Sequence, residues 1–229
     1  MAIFAGCVLQ TSTGFGMAVI AAPIIILLKP EWIPVVVTLI SMALNMVNTL
    51  SQREHIRWRK ISSSMIAFIP GSIIGGVLLN VIDHWWIQVI TPIMVISGLT
   101  ISCWARPFQP NYGNLSIAGF FSGLFGTTTS IGGPPMALVM QHTSGNTTRA
   151  NLSVFFLFST IFSLMIYLIS GFLTPADLQQ AVTILPFAFV GFISGHAIKS
   201  WVDTKLRMIL ITVCGSSACW AMLNTMIQF

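Results

Sequence analysis

What most constrains this chain is a succession of apolar stretches, each of roughly 20 residues and almost free of charge. A helix needs that length to cross a hydrocarbon core about 30 Å thick. Only 7% of the 229 residues are charged, whereas a soluble domain carries about 25% and can face water all round. In hydrocarbon every backbone N–H and C=O must be satisfied within the protein, and a helix does this inside its own segment. The alternating pattern of a membrane β-barrel is absent. The expected fold class is therefore all-α integral membrane.

The apolar segments run over 1–28, 32–51, 61–80, 84–104, 113–141, 150–171, 176–197 and 205–227. The first and fifth are long, and each is interrupted by a polar, glycine-containing break. The breaks read Gln10-Thr11-Ser12-Thr13-Gly14-Phe15-Gly16 and Thr127-Thr128-Thr129-Ser130-Ile131-Gly132-Gly133-Pro134-Pro135. A shift of 117 lays Phe4-Ala5-Gly6 on Phe121-Ser122-Gly123, Thr11 on Thr128 and Gly16 on Gly133. At a shift of 116, Pro70 and Gly75 meet Pro186 and Gly191. The chain thus reads as two repeats, 1–111 and 112–229, joined at Arg106–Tyr112.

Basic residues gather on the cytoplasmic side of membrane proteins. If all eight segments crossed, Arg53, Arg57, Arg59, Lys60 and Arg106 would face Lys29, Arg149, Lys199, Lys205 and Arg207, which is no bias. If 1–28 and 113–141 are re-entrant hairpins, every one of these except Lys29 falls on one side. Each half is then a broken hairpin followed by three crossings, so the halves insert as inverted repeats with both termini outside. The alternative is a set of ordinary kinked spans. With the basic residues in the gaps between spans, the net charge of +5 points to topology and not to a nucleic-acid partner. The start of the chain has neither a basic n-region nor a small-residue cleavage site, so no signal peptide is expected. Cys7, Cys103, Cys214 and Cys219 lie within apolar runs without metal-ligand spacing and read as packed thiols. No metal and no cofactor are expected.

Irregular backbone at membrane depth belongs where it is buried in protein or lines a wet cavity. After each break a half-helix begins, near Met17 and near Pro134, and its N-terminal N–H groups and dipole favour an anion. Pro134 and Pro135 suit a first helical turn. Glycines 14, 16, 132 and 133 allow close approach, and the hydroxyls of Thr11, Ser12, Thr13, Thr127, Thr128, Thr129 and Ser130 can donate to anionic oxygens. The alternative is that these small residues only let helices pack closely.

Gly14-Phe15-Gly16 with Pro23, Gly119–Gly126 leading to Ile131-Gly132-Gly133-Pro134-Pro135, Ile69-Pro70-Gly71-Ser72 and Arg149-Ala150-Asn151-Leu152-Ser153 together resemble the sulfite exporter TauE/SafE family of membrane transporters. The resemblance covers essentially the whole chain. It implies transport of a sulfur-containing anion such as sulfite, an organosulfonate or sulfoacetate, and a location in the plasma (inner) membrane. Thr127-Thr128-Thr129-Ser130 stands where many relatives carry a Gly-Ile-Gly-Gly type sequence, which implies a different substrate within that class.

Substrate binding is accordingly assigned to Thr11–Gly16 including Phe15, to Thr127–Ser130, and to Gly132, Gly133 and Pro134. Asn48 and Asn151 are added as amides that either touch substrate or bond a neighbouring helix. Arg149 either anchors topology or gathers anions at the inner vestibule. His142 and His196 are candidates for a coupling proton, or else simply reach the interface. Every acidic residue flanks a segment, so export down the membrane potential is expected in place of a carboxylate relay. The partners are then a small anionic substrate and the lipid bilayer, with oligomeric state left open. A passive anion channel and an intramembrane enzyme are the competing classes, although no Ser–His or His–Glu arrangement lies within a span. Alkaline phosphatase fused after Phe229 should be active, and inactive when inserted between Arg57 and Lys60; the reverse pattern would invalidate the hairpin topology.

Overall fold

The computed structural model describes residues 2–18, 32–81, 109–140 and 143–198, with single positions Ala21, Ile25, Met208, Thr212, Ser216 and Leu223. Among the described residues are seven α-helices and no strand. These are α1 (Ala2–Thr13), α2 (Val35–Ser51), α3 (Trp58–Val81), α4 (Tyr112–Thr129), α5 (Gly133–Met140), α6 (Gly145–Ile169) and α7 (Pro175–Ala197). The expected helix at 84–104, nearly all of 205–227 and most of the second arm of 1–28 lie outside the described residues.

Local chemistry sets the helix ends. Asn111 caps α4, its side chain accepting the Asn114 N–H at 2.8 Å. Thr174 and Asp177 form a reciprocal capping box at the start of α7, with Pro175 in the first turn. α6 begins five residues before the expected position at 150, because the polar run Gly145-Asn146-Thr147-Thr148 is helical, not loop. That places Arg149 inside the helix and fully buried.

Trp58–Leu79, Gly145–Ile169 and Pro175–Ala197 are long and apolar enough to cross a membrane. Only 39%, 44% and 22% of their most apolar stretches are buried inside the protein, so the rest must be met by lipid. The outward residues are large and apolar: Ile66, Ile73 and Val77 on α3, Met165 and Leu168 on α6, Phe187 and Ile193 on α7. By contrast α1, at 12 residues, extends about 18 Å, and α5, at 8, about 12 Å. Neither spans hydrocarbon alone.

At both breaks the chain turns back on itself. A Cβ at Gly6 would stand 2.8 Å from the Met17 carbonyl oxygen, so Met17 lies beside a residue about two turns before the end of α1. One at Gly132 would stand 2.6 Å from the Ser122 carbonyl oxygen.

Helix pairs approach through glycine. α3 lies along α4, and α1 along α7. A Cβ at Gly75 would meet the Leu124 carbonyl oxygen at 2.5 Å, and one at Gly191 would meet the Cys7 Cβ at 2.7 Å. Gly71, Gly119 and Gly123 likewise have the partner's backbone where a side chain would begin. In a bilayer, where apolar burial supplies little drive between helices, such backbone proximity is what holds them together. α2 packs on α6, and each also contacts the second long helix of the other half, α2 on α7 and α6 on α3. One core joins Phe15 to Phe68, Met136 and Phe155, and another joins Cys7 and Met17 to Ile40 and Ala188.

Gly75→Val should lower stability by about 3 kcal/mol, as overpacking against immovable backbone does. Gly113→Ala, which meets nothing closer than Asn111 Oδ1 at 3.7 Å, should be neutral or slightly stabilising. Thermal unfolding in detergent checks both, and equal stability of the two variants would contradict the glycine contact.

Candidate functional site

The first break starts where α1 ends. Gly14 takes φ +93 and donates its N–H to the Gln10 carbonyl at 2.7 Å. A Cβ here would lie 2.7 Å from Arg149 Cα, so conformation and space both demand glycine. The Thr13 hydroxyl donates to the Leu9 and Phe15 carbonyls at 2.9 and 2.6 Å and lies 3.3 Å from the Phe15 N–H. Ser12 donates to the Leu9 carbonyl at 3.0 Å. The Arg149 guanidinium donates to the Ser12 carbonyl at 3.3 Å and to Asn146 Oδ1 at 2.7 Å. It thereby sits on the negative end of α1.

The second break mirrors this. Ser130 ends α4 in the left-handed conformation, φ +62, and its N–H donates to the Gly126 carbonyl at 2.9 Å. Its hydroxyl donates to the Pro34 carbonyl at 3.0 Å, which Thr38 Oγ1 also reaches at 2.8 Å. The first break is therefore seated on the first turns of α6, and the second on the start of α2. The breaks also meet, since a Cβ on Gly133 would be 2.9 Å from the Phe15 ring.

A cavity of about 60 Å³ lies between them, several times the roughly 10–15 Å³ that one water needs. Gln10, Gly16 and Ala18 line it from the first break, and Ser122, Gly126 and Ser130–Gly133 from the second. α2 adds Thr38, Ser41 and Asn45, α3 adds Phe68, and α6 adds Phe155, Phe156, Ser159, Thr160 and Ser163. No Asp, Glu, Lys or Arg is among these described lining residues.

Hydrogen bonding within the lining is directional. The Met17 N–H donates to Gln10 Oε1 at 3.1 Å, and Gln10 Nε2 donates to Asn45 Oδ1 at 2.6 Å. Asn45 Nδ2 and Ser122 Oγ are buried and have no partner among the described residues. A buried donor left so is costly, and a bound water or ion is one way in which such a group is satisfied.

Of the residues assigned from sequence, Gly16, Ser130, Gly132 and Gly133 line this cavity, and Phe15 packs against Gly133 beside it. Thr11 accepts from Asn48 Nδ2 at 3.4 Å and faces α7. The Ser12, Thr13 and Thr128 hydroxyls bond carbonyls of their own helix. Thr127 Oγ1 bonds Ser72 and, at 3.1 Å, Ser163, while Tyr167 donates to the Thr127 carbonyl at 2.6 Å. Pro134 is buried in the first turn of α5, where it and Pro135 offer no N–H. The side chain of Thr129 and all of His142 lie outside the described residues, and His196 is exposed at the end of α7. Asn151 Oδ1 accepts the Arg57 N–H at 2.9 Å, holding the start of α3.

Sequence reasoning passed over Gln10, Asn45, Ser122 and the hydroxyls of α2 and α6. A signal was present: Thr38, Ser41, Asn45 and Asn48 recur at spacings that lay them on one face of a helix. A polar stripe of that kind inside a span faces protein or a cavity, not lipid.

No curated protein and no solved structure matches the chain. The model of the family described as sulfite exporter TauE/SafE matches residues 1–220. With helices of membrane-crossing length around a polar cavity and that match over nearly its whole length, the chain belongs to the sulfite exporter TauE/SafE family of membrane transporters.

Proposed function

We propose that this protein is a secondary transporter that exports a small sulfur-containing anion of the sulfite, organosulfonate or sulfoacetate type, held in the cavity between the two breaks. The observation that carries this reading is the pair of buried donors at the cavity, Asn45 Nδ2 and Ser122 Oγ, with no partner among the described residues. Around them lie hydroxyls and an amide without an acidic side chain, which suits oxyanion oxygens and gives a cation no carboxylate to pair with.

Alternating access by two inverted halves is supported by the pairing of helices. Exchanging α1 with α4, α2 with α6 and α3 with α7 turns each principal contact into another that is also present. The glycine contacts follow the same exchange: Gly75 against Leu124 corresponds to Gly191 against Cys7, by the shifts of 116 and 117 found in sequence. Re-entrant hairpins are supported by the shortness of α1 and α5 and by the reversal of the chain at each break. In such a frame the site lies near the midplane, where the halves meet. An interior-negative potential then drives an anion outward by about 2.3 kcal/mol per charge per 100 mV.

In proteoliposomes, flux should saturate with sulfite or sulfoacetate and be weak with taurine, whose ammonium group would meet donors and no carboxylate. Asn45→Leu should raise KM about tenfold or more, the cost of one hydrogen bond to a charged group. Gly133→Leu, which drives into Phe15, should abolish transport. Flux linear in concentration would replace the carrier with a channel, and a site elsewhere would follow if both variants transported normally.

A further inference from the structure

We infer that Gln10 is the positioning residue that sets the charge preference of the cavity, by fixing which end of the cavity-lining Asn45 amide is left without a partner. The inference rests on the proposed anion site and adds to it a cause for its selectivity. An asparagine in a polar cavity can present either a carbonyl or an NH₂ group, and so can serve a cation or an anion equally. Here the choice is made two residues away. The Met17 N–H is a backbone group and can only donate, so the Gln10 atom 3.1 Å from it must be the carbonyl oxygen. The other end of Gln10 is then an NH₂, and the Asn45 atom 2.6 Å from it must be an acceptor. Asn45 Nδ2 is thereby left as the group without a partner among the described residues. One backbone N–H at the break dictates, through two amides, that the unpaired end of this cavity-lining residue is a donor. Both amides are buried, which holds the arrangement against exchange with water.

The relay makes Gln10 and Asn45 act as a unit, so their effects on transport should not multiply. Gln10→Met fills the same space but neither accepts from Met17 nor donates to Asn45. We expect it to raise the KM for sulfite about tenfold with kcat changed less than about twofold, matching Asn45→Leu. The double variant Gln10→Met/Asn45→Leu should then be no worse than either single change. Gln10→Glu, assayed at a pH where the new carboxyl is ionised, keeps an acceptor for the Met17 N–H and so keeps the structural cap, but with no donor left it turns the Asn45 NH₂ toward itself. It should retain thermal stability while the KM for sulfite rises at least as far, which also covers a Gln10→Met protein that does not fold. A double variant showing the product of the two single effects would overturn the relay and leave the anion site standing. So would normal sulfite KM in a stable Gln10→Glu protein. Failure of the parent protein to transport any sulfur oxyanion would remove the functional reading itself and this inference with it.

Discussion

Backbone polar groups freed at a helix break have no water to turn to at membrane depth, and the architecture around the two breaks answers that constraint. At each break the incoming helix, α1 or α4, ends in a positive-φ residue whose N–H returns to the carbonyl four positions back, Gly14 to Gln10 and Ser130 to Gly126. What this leaves is satisfied from elsewhere in the fold. Thr13 takes the Phe15 carbonyl and Gln10 takes the Met17 N–H, while the Ser130 side chain fastens the second break to the Pro34 carbonyl at the start of α2. Arg149 reaches across from α6 to the Ser12 carbonyl. So many polar groups are consumed in mending the breaks that the few without partners at the cavity, on Asn45 and Ser122, become informative.

Mending across elements also ties the halves together. The first break is held by α6 and the second by α2, while α1 and α4 are pressed through glycine onto α7 and α3. In the proposed transport cycle a break does not move alone. Its displacement is shared with the helix of the other half on which it sits, and Phe15 against Gly133 links the two breaks directly. The glycine contacts leave no slack for sliding apart, because the neighbour at Gly75 is backbone rather than a flexible side chain. Rocking of helix pairs as rigid units is the motion such packing permits.

Periodicity and composition made the all-helical membrane class and the location of both breaks legible from sequence, because each depends on runs of many residues. The individual site residues depend on single rotamers. Asn45 and Asn48 are three positions apart on one face of α2, yet one lines the cavity and the other bonds Thr11. Threonines at a break look like ligand donors in sequence, but a hydroxyl near a helix end readily bonds a carbonyl three or four residues back. Thr13 and Thr128 do so. Ser122 was hidden because a lone serine in an apolar run usually signals close packing. The expectation that half-helix N–H groups would hold the anion meets a physical complication: Met17 donates to Gln10, and Pro134 and Pro135 have no N–H. Three N–H positions of the first turns are thus withdrawn from a ligand, and side-chain donors gain weight.

That shift bears on how a carrier of this kind could turn over. A substrate site must attract an anion strongly enough to strip its water and weakly enough to let it go. A guanidinium in direct contact would add a charge-assisted bond about twice as strong as a neutral one, and would slow release accordingly. The one buried arginine among the described residues, Arg149, is instead applied to the Ser12 carbonyl at the end of α1, away from the described lining of the cavity. Its charge raises the potential around the first break without giving the anion a direct partner. Amide and hydroxyl donors then set the geometry of binding. In the proposed site, attraction and grip are thus supplied by different groups, which would allow a buried anion to remain exchangeable.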